Sequence, residues 1–315
     1  MKIAVLFPGY GAQHVGMGKD LHNQSRIIQE YFEEADNCLA VNFEKLLFSS
    51  SDSDLSIMQH AYPAIFLLSS AIFMMLKDKG VRPDVIAGYD TGTYAALFAA
   101  GCISFPDGLY LINKYATLYQ EALLMLPSVS ILNVKNYPRA KLEKLCKQVS
   151  RGDDRATMAF FMAPDEQVVS GPSGIIDTLK EHLEKTDAVV HQVPIEVGLH
   201  SSLLTEVAAQ FKVYLSKVDF KKLQIPVYNP LNAKPVADAT AAQDMIVDMV
   251  HTPIEWLATM QQLSDCDLIV QCGPGTIFAT QAESLFPEKK IFSITQMADV
   301  EQLHQYLEEN KMKVE

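Results

Sequence analysis

The chain has 315 residues, 49% hydrophobic and 20% charged, enough to bury the core of one large domain or of a large and a small one. Its formal charge of −12 argues against nucleic acid or an anionic membrane surface as main partner, since both need a basic face. Five scattered cysteines, Cys38, Cys102, Cys146, Cys266 and Cys272, include no CxxC pair, so buried thiols in a reducing compartment are expected rather than disulfides or a metal site.

The opening "KIAVLF", closed by "PGYG", is a continuous apolar run of the kind that forms a buried parallel strand. It is too short for a signal peptide, and no stretch approaches the roughly 20 apolar residues of a membrane span. A cytoplasmic protein with no membrane span is therefore expected. "HAYPAIFLLSSAIFMMLKDKG" predicts a helix that is apolar nearly all round and stops at Gly80 after Lys77 and Lys79; its Met and Phe stripe reads as core. "DVIAG" predicts a second buried strand and "TYAALFAAG" a helix ending at Gly101. Pro106 opens a long helix with Pro and Asp in its first turn. Strand and helix in alternation imply an α/β domain with a mainly parallel sheet.

The texture changes near Pro127. "VSILNV", "PRAKLEKLCKQVS", "ATMAFFM", "QVVSG", "PSGIIDTLKEHLEKT" and "AVVHQVPI" read as β-α-β-β-α-β, the pattern of a small ferredoxin-like unit. The expected fold class is α/β: a large domain over 1–127 and 194–315, with a small domain inserted over 128–193. "IPVYN", "DLIVQCGPG" and "KIFSIT" return to buried strands of the large sheet.

Within that frame "GYDTG" stands between a buried strand and an apolar helix, the setting of a nucleophile elbow, where the middle residue is normally Ser. Here it is Asp90. Three other segments put Gly, Pro or His beside strand ends, where open α/β sheets carry their sites: "FPGYGAQHVGMGKDL", "EVGLHSSLL" and "QCGPGTIF".

These segments, in order, resemble the malonyl-CoA:acyl carrier protein transacylases and the acyltransferase domains of fatty-acid and polyketide synthases. "FPGYGAQHVGMGKDL" is similar to the family's FPGQGSQ-x-x-GMG-x-DL, "GYDTGTYAALFAAG" to its GHS-x-GE elbow, and "YATLYQEA" to RG-x-x-MQ-x-A. "LHSSLL" resembles the loop that carries the base; "YNPLNAKPV", "HTPIEW" and "CGPGTIF" resemble the family's later segments. The resemblance covers nearly the whole chain. It implies an α/β-hydrolase-like large domain with a ferredoxin-like insert, and a two-step transfer in which an elbow Ser takes an acyl group and a carrier-protein thiol removes it. No cofactor is implied beyond acyl-coenzyme A or a phosphopantetheine thioester as possible ligand. The implied partner is an acyl carrier protein or a synthase subunit.

Carried over position by position, the family's base falls on His200 and its nucleophile on Asp90. The His before the nucleophile falls on Tyr89, the oxyanion-site Gln on Tyr10, and the malonate-clamping Arg on Tyr115. Two small-domain Asn residues fall near Phe161 and Ala163. Asn229, whose carbonyl holds the base in related proteins, is retained. Lys114 adjoins Tyr115 but on a helix points about 100° away. Asp90 and His200 are expected to pair, leaving neither a free base nor a hydroxyl, and loss of the Arg removes the bidentate carboxylate partner. The aromatic replacements predict an apolar cleft that suits an uncharged acyl group.

Asp90 admits two readings at this stage: a carboxylate that accepts elbow amides and caps the next helix, or a nucleophile whose acyl-aspartate is hydrolysed by water at His200. Thr91 is expected to turn its amide, not its side chain, to the pocket. "KLEKLCKQVSR" reads as a solvated helix face or as a basic docking face. Three functions follow: a non-transferring homologue that binds carrier protein, acyl chain or synthase; an acyl-thioester hydrolase using Asp90 and His200; or transfer of an uncharged acyl group.

Overall fold

The computed structural model describes residues 1–125, 128–152, 154–193 and 200–311. Among the described residues nine strands form two sheets. The large sheet contains β1 (Ile3–Phe7), β2 (Val85–Gly88), β7 (Val227–Tyr228), β8 (Leu268–Cys272) and β9 (Lys290–Ile294) in the order β7-β2-β1-β8-β9, with every neighbouring pair parallel. The continuous apolar runs are explained by this position: β1, β2 and β8 are buried at every residue.

The small sheet contains β3 (Val129–Lys135), β4 (Thr157–Ala163), β5 (Glu166–Pro172) and β6 (Val189–Val193), antiparallel in the order β4-β5-β3-β6. Helices Arg139–Val149 and Ser173–Leu183 connect β3 to β4 and β5 to β6. That is the ferredoxin-like arrangement expected from the sequence. In Arg139–Val149 the residues Leu142, Cys146 and Val149 lie inward at helical spacing, while Lys141, Lys144 and Lys147 face water.

Helix Met58–Asp78 corrects one expectation. By length and composition it is apolar enough to cross a membrane, yet 83% of its most apolar stretch is buried inside the fold. It forms the centre of the large core, where Phe66 stacks on Phe105 with centroids 5.4 Å apart. Gly108 permits that approach, because a Cβ there would lie 2.2 Å from the Phe66 ring. Between "PGYG" and this helix, where the sequence predicts no element, lie four helices: Lys19–Gln24, Arg26–Leu39, Phe43–Ser49 and Asp52–Ser56.

The two sheets are stitched at the edge strand β4. The Phe161 amide donates to the Ile254 carbonyl at 2.9 Å, and the Ile254 amide donates to Ala159 at 2.8 Å. Arg139 lies over the Phe161 ring and makes two bonds of 2.9 Å to the Glu255 carboxylate. Gln281 receives the Trp256 indole N–H at 2.8 Å and donates to the Met162 carbonyl.

Candidate active site

Asp90 sits at the tip of a tight strand-to-helix turn, with φ of 48°. The turn is built by close approaches that only glycine allows. A Cβ on Gly88 would come within 2.5 Å of the Thr93 backbone, and one on Gly92 within 2.3 Å of the Phe7 carbonyl. The Tyr89 amide donates to Phe7, the Gly92 amide to Tyr89 and the Thr93 amide to the Asp90 carbonyl, at 2.8–3.0 Å. The left-handed tip is tolerated by Asp better than by most residues. The elbow is therefore intact, with a carboxylate where a hydroxyl is usual.

His200 also has positive φ, 49°, and brings its Nε2 to 3.3 Å from Asp90 Oδ1. Both side chains are at most 5% exposed. The contact is a close approach rather than an aligned hydrogen bond, since Nε2 has no hydrogen-bond partner among the described residues. The other ring nitrogen, Nδ1, donates to the Met249 carbonyl. With Nδ1 committed to Met249, Nε2 is the ring nitrogen that faces the Asp90 carboxylate.

The expectation for Asn229 does not hold. Its carbonyl accepts from Ala233 at 2.8 Å and from Asn232 at 3.3 Å, and its side chain accepts from the Leu231 amide, all within its own turn. The ring is held instead by Met249, the last residue of helix Ala239–Met249, where carbonyls lack partners within the helix. The sequence carries no pattern that marks Met249 for this task.

Thr91 also differs from expectation. Its hydroxyl, not only its amide, turns inward and accepts the Tyr10 N–H at 3.1 Å. The N–H that Thr91 takes up belongs to the first glycine-rich loop, at the position where the resemblance implies the oxyanion-site Gln. Tyr10 itself leaves the pocket, donating its phenol to the Ser56 carbonyl at 2.8 Å and meeting Tyr62 edge-on.

Among the described residues, aromatic rings pack around the pair. Tyr89 stacks on Phe160 at 5.1 Å and contacts Phe278 at 4.6 Å and Trp256 at 5.2 Å. Phe160 packs at 84° against the His200 ring with centroids 4.6 Å apart. Tyr115 is buried between Tyr62, Tyr119 and Phe211. Lys114 points elsewhere, over Tyr110 and Tyr214, as its helical offset implied. The cavity left beside Asp90, Thr91, Tyr94, Tyr115 and His200 holds about 10 Å³, room for about one water. Among the described residues, the aromatic rings expected to line an acyl cleft pack against one another and against His200. Burial, with the Asp90 charge adding to it, pushes the phenols of Tyr89 and Tyr115 well above their usual range.

Phe160 was missed from the sequence, which singled out its neighbour Phe161. Alternation along β4 sends the two rings to opposite sides: Phe160 to His200, Phe161 under Arg139. Residues 194–199, which open the loop carrying His200, lie outside the described residues. No group of three or more His, Cys, Asp or Glu able to hold a metal occurs among the described residues.

The profile of the acyl transferase domain family matches residues 5–273. The chain belongs to that family. It is 26% identical to a malonyl CoA-acyl carrier protein transacylase of Bacillus subtilis over 312 residues, covering 98% of each chain. It is 28% identical to one from Staphylococcus aureus over 305 residues, covering 95% of this chain and 97% of that one. Among solved structures, FabD from Acinetobacter baumannii superposes with a TM-score of 0.91 at 27% identity, over 97% of this chain and 98% of that one. The malonyl CoA-acyl carrier protein transacylase of Clostridium perfringens has a TM-score of 0.93 at 22% identity, over 100% and 99%, and shows the shared fold. The fold class read from the sequence is therefore correct, and the acyltransferase resemblance is a family relationship.

Proposed function

We propose that this chain is a non-transferring member of the acyl transferase family, one that serves fatty-acid or polyketide assembly by binding a carrier protein or synthase subunit. The observation that carries this reading is the buried Asp90–His200 pair in a cavity of about 10 Å³. The family's chemistry needs a neutral hydroxyl, a free imidazole, oxyanion donors and a cation for the malonyl carboxylate. Here the first position holds a carboxylate, the second is paired to it, the Tyr10 amide is taken by Thr91, and the last position is Tyr115. The likeness to malonyl CoA-acyl carrier protein transacylases over 98% of the chain supports a place beside the same kind of partner.

Hydrolysis through an acyl-aspartate and transfer of an uncharged acyl group both need a channel wide enough for a thioester above Asp90. The packing of Tyr89, Phe160 and Tyr115 favours neither. The test is a titration with holo and malonylated carrier protein that follows both complex formation and the carrier's thioester. Binding with the thioester untouched supports the proposal. Loss of malonate from the carrier that requires both Asp90 and His200 would replace it with the hydrolase reading.

A further inference from the structure

On the side of β4 away from His200, a cavity of about 600 Å³ opens between helix Arg139–Val149, the start of β4 and the segment 252–255. That volume is within the range of small-molecule sites, roughly 300–1,000 Å³. Phe161, Met158 and Leu231 give it an apolar floor. Three cations reach it: Arg139, Lys147 and Arg155. Arg139 is fully engaged, with Glu255 at 2.9 Å and Glu143 at 2.8 Å, and so forms a fixed wall. Lys147 and Arg155 are different. Among the described residues neither has a carboxylate partner, and the one hydrogen bond from the Arg155 guanidinium is long, 3.4 Å, from Nε to the Gly152 carbonyl. On a chain of net charge −12, two cations that line one cavity and have no carboxylate partner among the described residues are a complement to an anion.

We propose that this cavity binds a carboxylate with an apolar tail, the carboxylate on Arg155 and Lys147 and the tail against Met158, Phe161 and Leu231. A guanidinium presents a planar fork that matches a carboxylate, and Lys adds a point charge beside it. The cavity is reached without displacing Tyr89 or Phe160, so the site does not depend on whether the elbow is active.

Calorimetric titration of the full chain with octanoate tests the assignment, with octan-1-ol supplying the tail without charge and inorganic phosphate the charge without the tail. One octanoate should bind per chain, and both controls should bind at least about tenfold more weakly. Lys147→Ala/Arg155→Ala should weaken octanoate at least about tenfold, and Arg155→Glu should do the same, with the melting temperature unchanged because both side chains are exposed. Absent octanoate binding, or equal binding by either variant, or phosphate binding as tightly as octanoate, overturns the proposal.

Discussion

His200 Nε2 stands 3.3 Å from Asp90 Oδ1, and the two side chains are 2% and 5% exposed. Met249 holds the opposite edge of the ring and Phe160 packs at 84° against it, so the imidazole is held from two further sides. A hydroxyl at the same elbow would leave the imidazole free to accept a proton. At this elbow the carboxylate and the imidazole form one close, buried unit.

Breaking that unit from one side should be costly. His200→Ala leaves the carboxylate buried without its partner, a loss of about 3–5 kcal/mol for a pair of this kind. Urea unfolding measures it. Removing both groups in Asp90→Ser/His200→Ala should cost less than the sum of the single changes, since no unpaired charge remains. Additive losses would show that the two groups do not interact.

Restoring the usual nucleophile should not restore transfer. In Asp90→Ser the Tyr10 amide is still bound to the Thr91 hydroxyl, no cation occupies the Tyr115 position, and Tyr89 and Phe160 still fill the approach. Incubation with malonyl-CoA should leave the mass of this variant unchanged. Appearance of a malonyl-enzyme would show that the rings move aside and that Asp90 alone blocks the chemistry.

The elbow and the pairing of its residue with His200 were legible in the sequence, because glycine at 88 and 92 answers a local steric demand. The filled cleft was not. Met249 holds the ring through a backbone carbonyl freed by a helix end, which no side chain announces. Phe160 and Phe161 are adjacent and identical in type, and the irregularity in β4 between Met158 and Phe160 obscures which one faces His200. Thr91 reads from sequence as one more elbow residue; only the approach of the first loop gives its hydroxyl a partner.

Alkaline pH should destabilise the protein through its buried phenols. Burial raises Tyr62, Tyr89, Tyr94, Tyr115 and Tyr119 well above the ordinary value of 10.0, and Tyr31 to about 12. Folding therefore retains protons that the unfolded chain releases, so this contribution is full below about pH 10 and falls as pH rises further. Tyrosinate absorbance should show the exposed phenols titrating first and the five buried ones only with loss of structure. Smooth titration of all twelve tyrosines in a folded protein would contradict their placement.

Arg139 should control how tightly β4 is held to the large domain. Its fork bridges Glu255 while its plane covers Phe161, two roles a lysine cannot fill together. Both Arg139→Ala and Arg139→Lys should speed amide exchange at Phe161 and Ile254, whose N–H groups cross the junction. Exchange there at the unaltered rate would show that the β4 bridge holds without the ion pair.

The most direct measurement of the central claim is intact-mass analysis of the unaltered protein after incubation with malonyl-CoA and with malonyl- and acyl-carrier protein. The account expects the protein at its unmodified mass and each carrier still acylated. A malonyl or acyl adduct on the protein, or a carrier stripped of its acyl group by the native chain but not by Asp90→Asn or His200→Ala, would contradict it.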